Sequence, residues 1–362
     1  MKRALLVLSL LLVSSAAQAQ RLIDTTAALR DYASKILPRC PGGTLTLEPI
    51  GAGGPANFNT YVAQLRSTDK YCGTQKYLMH SPKTGQILVG QVVSLPADAR
   101  PAAARITEQA TQMLNKQVKA TVSPFPLPDG IKAVNIARDT EFGPFSYHAF
   151  IDQSEKFLLV AFRGSLTTDP AKSLREALGV TAAAKRGTGK VEILELSDFQ
   201  CPTCAHAHEK LEPLIKQNLS KMSYTRLDLP LFENHDWAIP AAMGARAIQR
   251  VAPAKYWQYV DYVFKNQEQI GQRKNFELTL KEWLEDNDVP WAAVQKIYAS
   301  KTERAALLDQ VSRAFAIGVA STPTFIVNGQ IMGFGPDGTF TMDAIKSAIG
   351  VSTAAAAPKK GK

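Results

Sequence analysis

The stretch ELSDFQCPTC, residues 195–204, is the segment that indicates most about the fold of this 362-residue chain. It begins inside a β-rich run, VEILELSDF, and ends on two cysteines, Cys201 and Cys204, which a helical pattern follows (AHAHEKLEPLIKQNL). The two cysteines are therefore predicted to lie where a strand meets a helix. A C-x-x-C pair can belong to a zinc site, a haem attachment site, a structural disulfide or a redox centre.

Zinc and haem both fit this segment poorly. A structural zinc site needs four ligands, often from two C-x-x-C pairs, and the chain has one such pair. Cys201, Cys204 and His208 could share a helix face, but the fourth ligand would have to be the distant His235. Haem attachment requires a histidine directly after the second cysteine, and Ala205 occupies that position.

A redox pair fits better. At the start of a helix, the Cys201 sulfur faces free backbone N–H groups and the positive end of the helix dipole, which favour the thiolate. Pro202 suits the first helical position, and Thr203 and Cys204 still offer N–H groups. Cys204, one turn further in, is expected to point inward and to resolve the mixed disulfide formed by Cys201. A purely structural bridge is the alternative.

Glu195 lies six residues before Cys201, inside an apolar strand. A carboxylate is unfavourable in such a place without a partner. In a redox site, it could take and return the proton of the buried Cys204. The alternative is a glutamate at the strand edge that faces water.

A second motif, AIGVASTPTFIVNG at residues 316–329, completes a family resemblance. Together with ELSDFQCPTC, it makes residues 191–351 resemble the thioredoxin superfamily, and within it the DsbA-like disulfide oxidoreductases. Cys201 and Pro323 are 122 positions apart, which implies a helical insertion. The fold class expected is α/β, a thioredoxin fold with an inserted helical subdomain, preceded by an α+β N-terminal domain.

The resemblance also implies roles for individual residues. The Thr322–Pro323 peptide bond is expected to be cis and to pack beside the cysteines, leaving the Thr322 backbone free to pair with an extended substrate. Pro202 and Thr203 are expected to tune the redox potential, and the uncharged Thr203 indicates a milder oxidant than relatives with histidine there. The sequence offers no reliable metal site, and no cofactor is expected beyond the Cys201–Cys204 disulfide.

The N-terminal residues 1–19 have the three parts of a secretory signal. They are the basic Lys2 and Arg3, an apolar run, and small residues that end at Ala19. The apolar run is shorter than the roughly 20 residues that span a bilayer. The protein is therefore expected to be exported to the periplasm or another extracytoplasmic space, where disulfides persist. The net charge of the whole chain is +10, of which Lys2 and Arg3 of the predicted signal contribute two. This charge is attributed to solubility or weak surface attraction, and no nucleic-acid partner is expected.

Residues 20–182 are predicted to form the N-terminal α+β domain, with a possible internal αβββ repeat. Cys40 and Cys72 are expected to form a structural disulfide within it, because the compartment is oxidising. A small, glycine-containing segment at 183–190 is interpreted as a linker, and the basic tail 352–362 as disordered.

Several functions remain open from the sequence. The first is an oxidase that introduces disulfides into unfolded secreted proteins and is reset by a membrane redox partner. The second is an isomerase or reductase whose N-terminal domain dimerises or binds substrate. The third is a chaperone or adaptor without enzymatic activity. Measured thiol chemistry would separate the first two from the third.

Overall fold

The structure is a computed structural model that describes residues 25–51, 53–70, 72–180, 184–273, 275–333 and 338–351. The predicted signal peptide and basic tail lie outside these residues. Within them the chain forms two sheets, one in each half. The predicted fold class is confirmed, because a mixed five-stranded sheet with a helical insertion follows an antiparallel sheet flanked by helices.

The N-terminal sheet has eight strands in the described residues, ordered β1-β2-β3-β4-β8-β7-β6-β5. Its strands are β1 (Thr44–Pro49), β2 (Asn59–Arg66), β3 (Thr74–His80), β4 (Gln86–Ser94), β5 (Lys119–Pro126), β6 (Lys132–Thr140), β7 (Gly143–Ile151) and β8 (Phe157–Ser165). Helix α1 covers residues 25–36, α2 Ala102–Leu114 and α3 Pro170–Leu178. Neighbouring strands pair antiparallel throughout.

The sheet consists of two halves, each a helix followed by four strands. Helix α1 precedes β1–β4, α2 precedes β5–β8, and the halves join where β4 pairs with β8. The predicted repeat had three strands, so the unit is larger than the sequence indicated. The strand missing from the prediction is β5, whose Pro124 and Pro126 weaken its sequence signal. Proline is tolerated there because β5 is an edge strand.

Helix α1 packs on one face of this sheet as its periodicity predicts. Leu29, Tyr32 and Ile36 recur at helical spacing and are all buried. They meet the sheet residues Leu78 and Phe162 in one apolar cluster. The helix therefore covers the β1–β4 half of this face.

The second sheet is ordered β13-β12-β10-β11-β9 and carries the C-terminal domain. Its elements are β9 (Ala184–Arg186), β10 (Val191–Ser197), α4 (Pro202–Gln217), β11 (Met222–Asp228), β12 (Thr324–Val327), β13 (Gln330–Met332) and α11 (Thr339–Ala348). Strands β10 and β11 are parallel, with α4 as the crossover, and the other pairs are antiparallel. Asn328 and Gly329 both have positive φ and form the hairpin turn between β12 and β13, as an Asn-Gly pair between two apolar runs favours.

Six helices lie between β11 and β12 in the described residues. They are α5 (Ala238–Val251), α6 (Tyr256–Lys265), α7 (Gln267–Gly271), α8 (Phe276–Asp286), α9 (Trp291–Tyr298) and α10 (Lys301–Ala316). Tyr259, Leu280 and Val311 are fully buried where these helices meet. No helix of the described residues has both the length and the apolarity needed to cross a bilayer.

Part of the segment interpreted as a linker is a strand. Residues 184–186 form β9, which pairs antiparallel with β11. Its small residues and the following glycine suggested a flexible connection, but a short edge strand needs only the hydrogen bonds that β11 supplies. Arg186 holds the strand in place, because its guanidinium pairs with Glu212 and lies 3.9 Å from the centre of the Trp257 ring.

The two domains share a continuous interface. Helix α10 packs on β7, where the Ser312 hydroxyl donates to the carbonyl of Ser146. Phe145 of β7 joins the apolar core of the helical insertion and meets Phe232 edge to face, with ring centres 5.2 Å apart. Arg138 and Glu233 form an ion pair across the same boundary. The N-terminal sheet is thus packed directly against the helices that flank the cysteine pair.

Candidate functional site

Cys201 and Cys204 lie at the predicted junction of strand and helix. Cys201 is the N-cap of α4, and Pro202 begins the helix. The Cys204 N–H donates to the Cys201 carbonyl at 3.0 Å. Cys201 is 8% exposed and Cys204 is fully buried, and both are free thiols in this structure. The pair is asymmetric, because Cys201 keeps a small exposed area and Cys204 has none.

The two thiols are also electrostatically different. Hydrogen bonding from the Cys204 thiol, aided by the backbone N–H groups of Cys204 and Thr203, lowers the pKa of Cys201 to about 5. Burial is the main reason that the pKa of Cys204 is raised well above that of an ordinary thiol. At neutral pH, Cys201 is therefore a thiolate and Cys204 a thiol, which is the arrangement that a nucleophile and its resolving partner require.

The proline loop lies beside the cysteines. The Thr322–Pro323 peptide bond is cis, as the resemblance implies. The Cys201 Sγ lies 3.5 Å from the carbonyl oxygen of Thr322, so the thiol form donates a hydrogen bond to it. Thr322 is half-buried and Pro323 is buried, immediately before β12. The structure thus brings four of the predicted site residues, Cys201, Cys204, Thr322 and Pro323, together at one end of the second sheet.

Glu195 is buried beneath this site, which excludes the alternative of a strand-edge residue that faces water. It is 1% exposed in β10, and the Tyr224 hydroxyl donates to one of its carboxylate oxygens. Among the described residues, the other oxygen, Oε1, has no hydrogen-bond partner. Arg226 stands opposite Glu195 in the β10–β11 register and is equally buried. The charge of Glu195 contributes to the raised pKa of Cys204, so the two groups interact.

Asp198 and His235 belong to the site, although the sequence did not indicate their roles. The buried Asp198 carboxylate contacts His235 Nδ1 at 2.7 Å and accepts hydrogen bonds from the backbone N–H groups of Gln200 and Leu231, also at 2.7 Å. This contact raises the pKa of His235, and the charge of Cys201 raises it further. A protonated His235 therefore stabilises the Cys201 thiolate in return. His235 was considered only as a zinc ligand.

The helical insertion fastens the loop that carries the cysteines. The Gln267 side-chain amide donates to the carbonyls of Phe199 and Cys201, at 2.7 and 3.0 Å. Gln200 accepts from the Trp237 backbone N–H at 2.8 Å. These residues are far apart in sequence, and no local pattern could have connected them. The insertion thus fixes the position of the reactive sulfur.

The histidines after the cysteines lie outside this site. His206 is exposed, whereas His208 is buried and contacts Asp261 at 2.7 Å. His208, Glu212 and Asp261 have the ligand types of a metal site, with ligand atoms within 4.8 Å of one another. Arg186 pairs with Glu212, and Lys216 pairs with both Glu212 and Asp261. Because these cations already balance both carboxylates, we assign no metal here.

Cys40 and Cys72 form the expected disulfide in the N-terminal domain. It lies against the C-terminal domain, where the backbone N–H of Arg39 donates to the Ile331 carbonyl at 2.7 Å. A Cβ atom added at Gly333 would lie 2.0 Å from the Cys72 sulfur, so the two domains approach closely here. This bridge belongs to the domain junction and is separate from the free Cys201–Cys204 pair.

A comparison with family models matches residues 186–350 to a family described as thioredoxin. These residues are therefore similar to the thioredoxin superfamily. The match begins in β9, which agrees with the assignment of that strand to the second sheet. The predicted resemblance is confirmed for this part of the chain, and the helical insertion between β11 and β12 is the feature expected of its DsbA-like members.

Solved structures of similar shape cover about half of this chain. BdbD from Bacillus subtilis, in its oxidised state, is 15% identical, with a TM-score of 0.41, over 47% of this chain and 95% of its own. The thiol-disulfide exchange protein alpha-DsbA2 from Wolbachia pipientis is 14% identical, with a TM-score of 0.41, over 49% and 93%. MdbA, a thiol-disulfide oxidoreductase from Corynebacterium diphtheriae, is 18% identical, with a TM-score of 0.39, over 46% and 91%.

Two curated proteins are similar to part of the sequence. The Na(+)/H(+) antiporter NhaA 3 of Salinispora tropica is 25% identical over 159 residues, which are 44% of this chain and 22% of the antiporter. NhaA 1 of Salinispora arenicola is 25% identical over 225 residues, with 55% of this chain and 33% of the antiporter covered. The chain thus spans a third or less of the length of these relatives.

Proposed function

We propose that this protein is an exported thiol:disulfide oxidoreductase that acts as an oxidase on unfolded or partly folded secreted proteins. One observation carries the proposal. Cys201, which is 8% exposed and has a pKa of about 5, lies beside a fully buried thiol at Cys204 and a cis proline. A stabilised thiolate is a good leaving group, and it favours the reduced form of the pair, which makes the disulfide form oxidising.

The reaction begins with the Cys201–Cys204 disulfide. A substrate thiolate attacks the Cys201 sulfur, which forms a mixed disulfide and releases Cys204 as a thiolate. Cys204 takes up a proton, since burial disfavours its charge. A second substrate thiolate then attacks the substrate sulfur of the mixed disulfide. The substrate disulfide forms, Cys201 leaves as a thiolate, and two electrons have passed from substrate to protein.

Glu195 is proposed to exchange the proton with Cys204. Its Oε1 lacks a hydrogen-bond partner among the described residues, although a buried polar atom without a partner is unfavourable by about 1–3 kcal/mol. Such an oxygen can accept the proton of Cys204 when the disulfide is remade. It can return the proton when Cys204 leaves as a thiolate. Tyr224, which donates to the other carboxylate oxygen, holds Glu195 in position.

The proposed setting follows from the same chemistry. The protein would work in the periplasm or another extracytoplasmic space, and a membrane redox partner would return the pair to the disulfide without a further cofactor. We favour an oxidase over a dimeric isomerase because β7 already packs on α10 of the same chain. This part of the N-terminal domain is therefore engaged within one molecule.

The test is a pair of refolding assays with the purified protein. An oxidase regenerates activity from reduced, unfolded ribonuclease A when the protein is supplied as the disulfide, and Cys201→Ala abolishes the reaction. Cys204→Ala is expected to accumulate mixed disulfides through Cys201. Activity on scrambled ribonuclease alone would overturn the oxidase assignment in favour of an isomerase. Refolding that persists in Cys201→Ala would indicate a chaperone.

A further inference from the structure

A cleft of about 800 Å³ separates the N-terminal sheet from the proline loop of the C-terminal domain. One wall comes from strands β3, β4 and β8 and the end of α1. The other comes from residues 315–324, which lead into the cis peptide bond, and from Thr203, which lies between the two cysteines. The cleft therefore begins at the proposed reaction site and continues along a domain that ordinary thioredoxin architecture does not include.

Helix α1 covers part of one face of the N-terminal sheet. The part of the same face that lies beyond the end of α1 forms the sheet wall of the cleft. Leu78, Val89 and Phe162 lie under α1 in its apolar cluster. Two residues away on each strand, on the same face, are Lys76, Gln91 and Val160, which line the cleft. Gln91 and Val160 are direct partners in the β4–β8 ladder. The alternation of strands thus places a cation and an amide on an otherwise apolar wall.

Lys76 is the group on this wall with an unbalanced charge. It is half-buried, and it forms no ion pair with a carboxylate of the described residues. A Cβ atom added at Gly318, on the opposite wall, would lie 3.6 Å from Lys76 Nζ. Burial lowers the pKa of Lys76, with no carboxylate to offset it. An ammonium group in this position is a ready partner for a carboxylate that enters the cleft.

The chain itself sets the distance between Lys76 and the reaction site. Gly318 precedes Thr322 by four residues, so the two are at most about 14 Å apart in a fully extended chain. A substrate strand that pairs with the Thr322 backbone advances about 3.3 Å per residue. Lys76 is therefore within reach of a side chain up to about five residues from the reacting cysteine.

We propose that the cleft binds an extended substrate segment and that Lys76 selects a substrate with an acidic side chain near its reacting cysteine. This inference rests on the proposed function and names the substrate class of that site. The apolar residues Val160, Phe315 and Val319 would contact substrate side chains on either side. The N-terminal domain then acts as a specificity surface for the catalytic domain of the same chain.

A structural role of Lys76 makes a different prediction. Gly318 follows the C-terminal end of α10, where a cation is favourable because of the helix dipole. If Lys76 served only that end, its replacement would lower the thermal stability of the protein and would affect all substrates equally. If Lys76 selects the substrate, its replacement instead changes the ratio of the reaction rates of two substrates. A loss of stability would leave that ratio unchanged.

The experiment compares dithiol peptides that differ at one position. This position lies four residues from the reacting cysteine and is occupied by Glu, Gln or Lys. The oxidised full-length protein is mixed with each peptide below saturation, and acid-quenched samples are analysed by mass spectrometry. We expect the Glu peptide to react about five- to tenfold faster than the Gln peptide, with a smaller ratio at high salt. In Lys76→Gln the rates of the Glu and Gln peptides should become equal. In Lys76→Glu the Lys peptide should react fastest.

Two controls make the outcome decisive. Lys83→Gln removes an exposed lysine in the β3–β4 turn, and it should leave the Glu-to-Gln ratio at its original value. Oxidation of dithiothreitol, which is too small to reach Lys76, should be unchanged in every Lys76 variant. Equal rates for the Glu and Gln peptides in the original protein would overturn the proposal. Failure to oxidise dithiothreitol would instead overturn the proposed function.

Discussion

Replacement of Cys204 by alanine should raise the pKa of Cys201 by about one to two units. The hydrogen bond from the Cys204 thiol is the largest contribution that lowers this pKa to about 5. A hydrogen bond to a charged group contributes about 1.5–3 kcal/mol, and one pKa unit corresponds to about 1.4 kcal/mol. The variant should therefore titrate between about 6 and 7, because the backbone N–H groups of Thr203 and Cys204 remain.

The pKa can be measured from the ultraviolet absorbance of the thiolate and from the pH dependence of alkylation by iodoacetamide. Cys40 and Cys72 do not interfere, since they are joined in a disulfide. Cys204→Ser is the matched variant, because its hydroxyl keeps a donor near the Cys201 sulfur, and its pKa should stay closer to 5 than that of Cys204→Ala.

Two results would refute this reasoning. If Cys201 of Cys204→Ala still titrates near 5, the thiol hydrogen bond contributes little, and the other groups, namely the helix N-terminus, Thr322 and His235, set the reactivity of Cys201. If the reduced protein with both cysteines titrates near about 8.5, Cys201 is an ordinary thiol and the redox assignment loses its basis.

Three further predictions concern the groups around the cysteines. Glu195→Gln should slow the release of mixed disulfides by Cys204, and the attack on Cys201 that expels Cys204, about tenfold or more, measured by quenched flow, while alkylation of Cys201 by iodoacetamide stays within twofold; equal slowing of the alkylation would contradict a role in proton transfer. His235→Ala should raise the pKa of Cys201, because the protonated imidazole favours the thiolate; an unchanged alkylation profile would show that the Asp198–His235 contact only supports the loop. The reduced protein should lose stability progressively as pH falls from about 8.5, the pKa of an ordinary thiol, to about 5, the folded pKa of Cys201, because the unfolded chain binds the thiol proton throughout this range and the native state does not; urea unfolding of Cys201→Ser should lack this dependence.

The part of the site that the sequence predicted is the part carried by local motifs. Cys201 and Cys204 follow a strand and open a helix, and such a junction is readable from the periodicity alone. Thr322 and Pro323 depended on the family resemblance, because nothing local places them beside cysteines more than 100 positions away. In both cases, a short motif is enough to fix the backbone geometry.

The supporting residues could not be predicted in the same way. Asp198 was within the quoted motif, but its partner His235 lies 37 positions away, beyond α4 and β11. Gln267 reaches the cysteine loop only because the helical insertion folds back over it. His208 was considered as a zinc ligand, and the position of α6 decides that it is buried against Asp261. Contacts of this kind depend on tertiary packing, which single-sequence periodicity does not contain.

The N-terminal domain shows the same division between local and tertiary information. Helix α1 and most strands have strong helical spacing or alternation in their sequences, which is the basis of the predicted α+β domain. Strand β5, with two prolines, and strand β9, with three residues, were missed since edge pairing stabilises segments of weak intrinsic preference. The cleft next to Lys76 was also out of reach, because its walls come from segments about 240 positions apart.

The reduction potential of the Cys201–Cys204 pair, measured by equilibration with glutathione, tests the central claim most directly. A thiolate with a pKa of about 5, compared with about 7 in thioredoxin, favours the reduced form by about 2.3 kcal/mol more at pH 7. For a two-electron couple this corresponds to about 50 mV, which predicts a potential of about −220 mV or higher. A value at or below about −270 mV, that of thioredoxin, would make the protein a reductant and contradict the account.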